Sequence, residues 1–156
     1  MKFRLLILMA FALSLASCGG DKAKQETPAV TNQEEKAPEA PTNADPMSNK
    51  GIGPIKSIAL GDIDQAMVAE GEVVFKAKCT ACHKISKKFV GPALKGVTQR
   101  RSPEWIMNMT LNPEEMIQKD PIAKQLLVEA NGAPMANQNL TEEEARQLLE
   151  YFRTKN

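Results

Sequence analysis

Cys79-Thr80-Ala81-Cys82-His83 is the stretch on which the reading of this chain turns. Two thiols three residues apart in a helical turn lie on one side of the backbone. Such a pair can add to the two vinyl groups of one porphyrin as thioethers, and the next residue then presents its imidazole to the iron. C-x-x-C-H is accordingly the attachment signature of a c-type haem. His83 is the only histidine in the chain, so the motif takes the one imidazole available. Two other chemistries use similar cysteines. A thioredoxin-like redox pair needs a surrounding βαβ pattern, and none is visible here. A structural zinc site needs four ligands; Cys79, Cys82 and His83 supply three, and the remaining cysteine, Cys18, lies far upstream.

Outward from the motif, the pattern is helical. Asp62 or Asp64 can cap a first helix that runs to about Cys79, with Met67, Val68, Gly71, Val74 and Phe75 at three- and four-residue spacing. Ser102-Pro103-Glu104 is a helix start with proline at the first helical position. The helix it opens carries Trp105, Ile106 and Met109 and ends before Asn112-Pro113. Asp120-Pro121 starts another, which Asn131-Gly132 closes through a left-handed cap. Thr141 with Glu144 three residues on is a capping box, opening a last helix that bears Ala145, Leu148, Leu149 and Phe152. No stretch shows period-2 alternation between hairpin turns. The expected folded part is 58–156, large enough for one small core.

The N-terminal third reads differently. Lys2 and Arg4 precede an apolar run from Leu5 to Leu15, too short for the roughly 20 residues that cross a bilayer and suited to a secretory signal. It ends in Leu15-Ala16-Ser17-Cys18, which resembles a bacterial lipobox. The expectation is a signal peptide over 1–17, removed to leave a lipid-modified Cys18. Residues 18–57 then carry five prolines, five lysines and six acidic residues without one aromatic. Such a segment cannot bury enough apolar area to offset chain entropy. It is expected to be a disordered tether with an r.m.s. span of roughly 35 Å.

Composition narrows the functions further. The 156 residues carry 20 Lys plus Arg against 19 Asp plus Glu, a net charge of +1, which gives no support to nucleic-acid binding. A lone histidine excludes two-histidine catalysis and multi-histidine metal sites. Three cysteines cannot all pair, which argues against a disulfide framework. The charge is uneven: from Val73 to Pro103 there are eight basic residues and no acidic one (Lys76, Lys78, Lys84, Lys87, Lys88, Lys95, Arg100 and Arg101). A positive ring beside the motif would steer an acidic redox partner; an ordinary solvated face is the competing reading.

Residues 66–153 resemble a small bacterial class I cytochrome c. The resemblance rests on the haem motif, on Gly71 with Phe75 and Leu148 with Tyr151, and on Gly91-Pro92-Ala93-Leu94. It implies an all-α domain wrapped around one covalent haem c held through Cys79 and Cys82, with His83 and a methionine on the iron. It implies that the first and last helices cross at the Gly71 and Leu148 pairs. It also implies that the Pro92 carbonyl accepts a hydrogen bond from the far nitrogen of His83, raising ligand basicity. Met135, in a loop 52 residues after His83 and just before the last helix, stands where the family carries its axial methionine; Met107, Met109 and Met116 read as helical core filler. An amide beside the axial sulfur would be Asn137 or Gln138. Trp105 resembles the family tryptophan that approaches a haem propionate, or else is simply a large core residue. The function implied is one-electron transfer by a lipid-anchored monomer outside the cytoplasmic membrane, serving a respiratory oxidase or reductase. A loose overall similarity points to partners of nitrous oxide reductase. The alternatives are a haem sensor or peroxidase-like enzyme with an open sixth position, and a fixed haem subunit of a respiratory complex.

Overall fold

The computed structural model describes residues 45–156. Cys18, the expected signal peptide and the expected tether up to residue 44 lie outside the described residues. Those described fall within one compact unit, Ala37–Asn156, and contain six α-helices and no strand.

Helix α1 (Gln65–Lys78) starts where the Asp64 carboxylate accepts the Ala66 and Met67 N–H groups, satisfying donors that a helix start leaves orphaned. Its buried residues, Gly71 and Phe75, are one turn apart. Helix α6 (Glu142–Arg153) starts with the full capping box between Thr141 and Glu144. The two helices cross at Gly71, where an added Cβ would sit 2.1 Å from the Gln147 carbonyl oxygen. Only a glycine lets the backbones come this close. Around the crossing, Phe75 packs on Tyr151 and edge-on to Phe152, with ring centroids 5.4 and 6.0 Å apart, and Leu148 and Leu149 are fully buried.

Between α1 and α6 come a four-residue helix, α2 (Val97–Arg100), and three short helices, α3 (Pro103–Leu111), α4 (Pro113–Lys119) and α5 (Pro121–Glu129). Each of the last three begins on proline. A proline costs nothing at the first helical position, where its missing N–H would have no partner. Its ring also prevents the preceding helix from running on. The chain therefore turns at Asn112 and at Asp120 and curves round one side of the molecule. Ser102 caps α3 through the Trp105 N–H, and Asp120 caps α5 through the Ala123 N–H. Asn131 and Gly132, both at positive φ (55° and 78°), end α5. Helix starts at Asp64, Ser102, Asp120 and Thr141 thus fall where the sequence puts them, while α2 and α4 are additions to that reading.

The folded part begins earlier than residue 58. Residues 49–58 form a strap laid on α3. Along one stripe of that helix and its C-cap, three residues spaced four apart engage the strap backbone: Glu104 accepts the Ile58 N–H at 3.4 Å, Asn108 accepts the Ile55 N–H at 3.0 Å and donates to the Lys50 and Ile55 carbonyls, and Asn112, the cap, donates to the Ile52 carbonyl. Ile52 and Ile55 pack against the core. Gly51 holds φ +70°, and a side chain at Gly53 would strike Asn108 at 2.3 Å. The boundary expected at 57/58 is corrected accordingly. The strap is held both by its isoleucines, Ile52, Ile55 and Ile58, packed against the core and by backbone hydrogen bonds to side chains of α3 and its C-cap.

A second fastening uses charge. Glu150 is fully buried on α6 between Arg146 and Arg153. The same two guanidiniums donate to the carbonyls of Ala59 and Gly61, so a buried carboxylate aims two arginines that hold the chain leading into α1. Arg146 Nε is the one buried side-chain polar atom without a partner among the described residues.

Candidate functional site

The motif continues α1 by one turn. The Cys79 N–H bonds to Phe75, and the Cys82 and His83 N–H groups both bond to the Cys79 carbonyl, at 3.1 and 2.9 Å. That turn brings both thiols and the imidazole to the wall of one cavity of about 400 Å³, within the range of about 300–1,000 Å³ usual for cofactor sites. The wall is largely apolar, with Leu94, Ile106, Met109 and Leu126 among its members.

His83 is held on two sides. Its Nδ1 lies 3.1 Å from the Pro92 carbonyl oxygen. A carbonyl can only accept, so Nδ1 carries the proton and a neutral ring keeps its lone pair on Nε2. On the ring face stands Gly91, where a Cβ would come within 2.3 Å of the imidazole Cε1. The loop 84–96 is pinned to the motif where the Gly91 N–H bonds to the Cys82 carbonyl, and is folded on itself where Leu94 bonds to Lys84 and Lys95 to Ile85. A lone pair fixed in direction beside two thiols is what a metalloporphyrin needs, so the donor set fits the haem that the motif implies. Among the described residues, no cluster of three or more His, Cys, Asp or Glu side chains could hold a bare metal ion.

Burial pushes the Cys79 thiol up to about 11. It stays protonated at neutral pH, the opposite of the depressed thiol that redox and nucleophilic cysteines require. The dithiol-oxidoreductase reading also lacks its βαβ setting, since the described residues contain no strand.

The methionines separate cleanly. Met135 and Met109 line the cavity. Met116 is fully buried elsewhere, its sulfur accepting the Ile52 N–H of the strap at 3.0 Å, and Met107 is buried without reaching the cavity. Gln138 is on the cavity wall and Asn137 is not; within the loop Asn137 accepts the Asn139 N–H and Gln138 donates to the Ala136 carbonyl.

Trp105 lines the cavity but spends its indole N–H on Asp120, at 3.1 Å. The partner of that N–H is thus a buried carboxylate at the start of α5. Asp120 was not singled out in the sequence beyond its capping position. It also accepts the Asn49 amide at 2.7 Å, so one side chain joins the strap, the start of α5 and the cavity wall. Arg101 lies over the Trp105 ring, 5.5 Å from its centroid. Burial first, then the neighbouring Arg100, hold its guanidinium below its ordinary value.

A helical shell around an apolar cavity, with two thiols and an oriented imidazole on its wall, defines a protein that holds one covalently attached porphyrin. Residues 68–155 match the family model described as cytochrome c, and the chain belongs to the cytochrome c family. In this family haem is bound covalently through the cysteine pair, which here is Cys79 and Cys82. The fold matches cytochrome c from Rhodothermus marinus with a TM-score of 0.64 at 50% identity, covering 65% of this chain and 88% of that one. An engineered form of the Rhodothermus protein, bound to a carbene intermediate, matches at 0.61 and 48% identity over 65% of this chain and 88% of its own. Cytochrome c-551 of Stutzerimonas stutzeri is 42% identical over 52 residues, 31% of this chain and 50% of that protein. The chain thus spans about half the length of this curated relative.

Proposed function

We propose that this chain is a one-electron carrier whose iron is held between His83 and Met135. The observation that carries the reading is the His83–Pro92 hydrogen bond, which leaves one directed lone pair in a cavity that also presents a methionine sulfur. The haem, when bound, supplies the one-electron cycling of its iron. The chain does the rest. Cys79 and Cys82 hold the group covalently. The Pro92 carbonyl orients the imidazole and raises its basicity. The Met135 thioether, a soft neutral ligand, favours the ferrous state and raises the potential. The apolar wall keeps water away. Extraction with acid and acetone should leave the haem on the polypeptide, and Met135→Ala should abolish the weak methionine-to-iron band and lower the potential while covalent haem remains. Haem that extracts, or a band that survives in Met135→Ala and vanishes in Met109→Ala, overturns the assignment.

The partner and the location follow as parts of the same proposal. The lysines from Lys76 to Lys95 with Arg100 and Arg101 form a face for an acidic redox protein, a respiratory oxidase or a reductase such as that for nitrous oxide. The carrier acts outside the cytoplasmic membrane as a monomer anchored by lipid on Cys18, and no helix among the described residues is long and apolar enough to cross a membrane. Labelled fatty acid should enter the wild type and not Cys18→Ser.

A second reading, in which the sixth position opens to admit a small ligand, is favoured by one feature. The loop 133–140, which carries Met135, has almost no hydrogen bonds to the rest of the fold.

A further inference from the structure

Helix α5 ends at Glu129 and α6 starts at Glu142, and the chain between them carries Met135 with no regular structure in residues 133–140. Its hydrogen bonds are nearly all local: Ala133 to Ala130, Gln138 to Ala136, and Asn139 to Asn137. Among the described residues, one hydrogen bond alone joins residues 134–140 to a distant element, and it comes from Lys78, the last residue of α1. The Lys78 ammonium donates to the Gln138 carbonyl at 3.4 Å and lies 3.7 Å from the Glu144 carboxylate. Glu144 is at the same time the capping-box residue that receives the Thr141 N–H. Lys78 precedes Cys79, so this side chain bridges the element that carries the haem-attachment turn to the loop that carries the methionine.

We propose that Lys78 is a positioning residue that latches the Met135 loop shut, and that its release is what opens the sixth position to small ligands. The inference rests on Met135 as the axial ligand. The latch is weak by construction, because both partners are about one-third exposed and exposed pairs contribute little. A weak latch suits a loop that must stay closed most of the time without being frozen. Removing it shifts the open fraction without altering either ligand.

The test uses the holoprotein and imidazole, a ligand largely neutral at pH 8, so that loss of one lysine charge does not itself alter steering. Lys78→Met keeps most of the side-chain stem and loses both contacts; ferric protein should bind imidazole about three- to tenfold more tightly, and the amides of residues 135–140 should exchange hydrogen faster. Lys78→Arg should restore near-wild-type binding. Glu144→Gln keeps an acceptor for the capping box, loses the ionic half, and should give a smaller increase; it also stands in if Lys78→Met does not mature. Lys76→Met removes a charge from the same helix without touching the loop and should bind imidazole as wild type does. Equal imidazole affinity in wild type, Lys78→Met and Glu144→Gln, with a methionine band that Met135→Ala abolishes, sinks the latch and leaves the ligand assignment standing. A band that persists in Met135→Ala sinks the ligand assignment itself.

Discussion

Gly91 shows how much one missing side chain decides at the site. A methyl group there would sit 2.3 Å from the His83 ring, well inside contact distance. The imidazole would have to swing off the Pro92 carbonyl. Gly91→Ala is therefore expected to cost about 1–3 kcal/mol by overpacking and to lower holoprotein yield, checked by denaturant unfolding and by absorbance per mole of polypeptide. Residue roles were legible in the sequence where chemistry and chain position coincide. Cys79, Cys82 and His83 are adjacent in the chain, and Pro92, in a segment that resembles a known pattern, is the carbonyl found on the His83 ring nitrogen. Trp105 was legible as large, but its partner Asp120 was not, because Asp120 lies 15 residues away and becomes its neighbour only when two proline-started helices turn back. The Lys78 bridge, 60 residues in span, left no local signal at all.

At the scale of elements, the crossing of α1 and α6 makes the sharpest demand. The atom that a Cβ at Gly71 would meet is a backbone carbonyl oxygen, which cannot rotate away, so the helices must part. Gly71→Val should destabilise by about 3 kcal/mol, the upper part of the usual overpacking range, with helical circular dichroism retained and a lower urea midpoint. The strap makes a pH-dependent contact with α3. Burial raises the Glu104 carboxyl, but its own N–H, Lys50 and the Ile58 N–H outweigh burial and hold it below 4.5. A depressed carboxyl contributes stability in full above the ordinary carboxylate range and loses it as pH falls through the native value. Strap amides, Ile58 first, should therefore exchange faster as pH drops below about 4.5 relative to those of α6, and Glu104→Gln should flatten that dependence. Caps announce helices because their signals are local. The strap does not announce itself, since its partners Asn108, inside α3, and Asn112, the cap that ends it, are polar residues fifty to sixty positions on.

For the whole molecule, charge distribution matters more than the net of +1. Of the eight basic residues between Val73 and Pro103, Lys78, Arg100 and Arg101 line the cavity. Interactions between exposed charges are screened over about 8 Å at physiological ionic strength. Second-order electron transfer to an acidic partner should slow as salt is raised, by about tenfold or more across a stopped-flow series from low to physiological salt. A flat dependence would assign these residues to plain solvation. Stability is held apart from this face: Glu150→Ala would strand Arg146 and Arg153 and should cost about 3–5 kcal/mol while leaving the salt dependence alone.

The strap also decides where a pull is felt. Asn49 is gripped by Ser102, whose hydroxyl donates to its carbonyl, and by Asp120, which receives its amide. Those two residues are the N-caps of α3 and α5. Tension travelling along the chain from its N-terminal end therefore loads the starts of two helices before it reaches anything else. The loop bearing Met135 enters at the opposite end of α5 and lies off that line of force. A pull on the strap is thus taken up at two helix starts, and the Met135 loop stays out of its path.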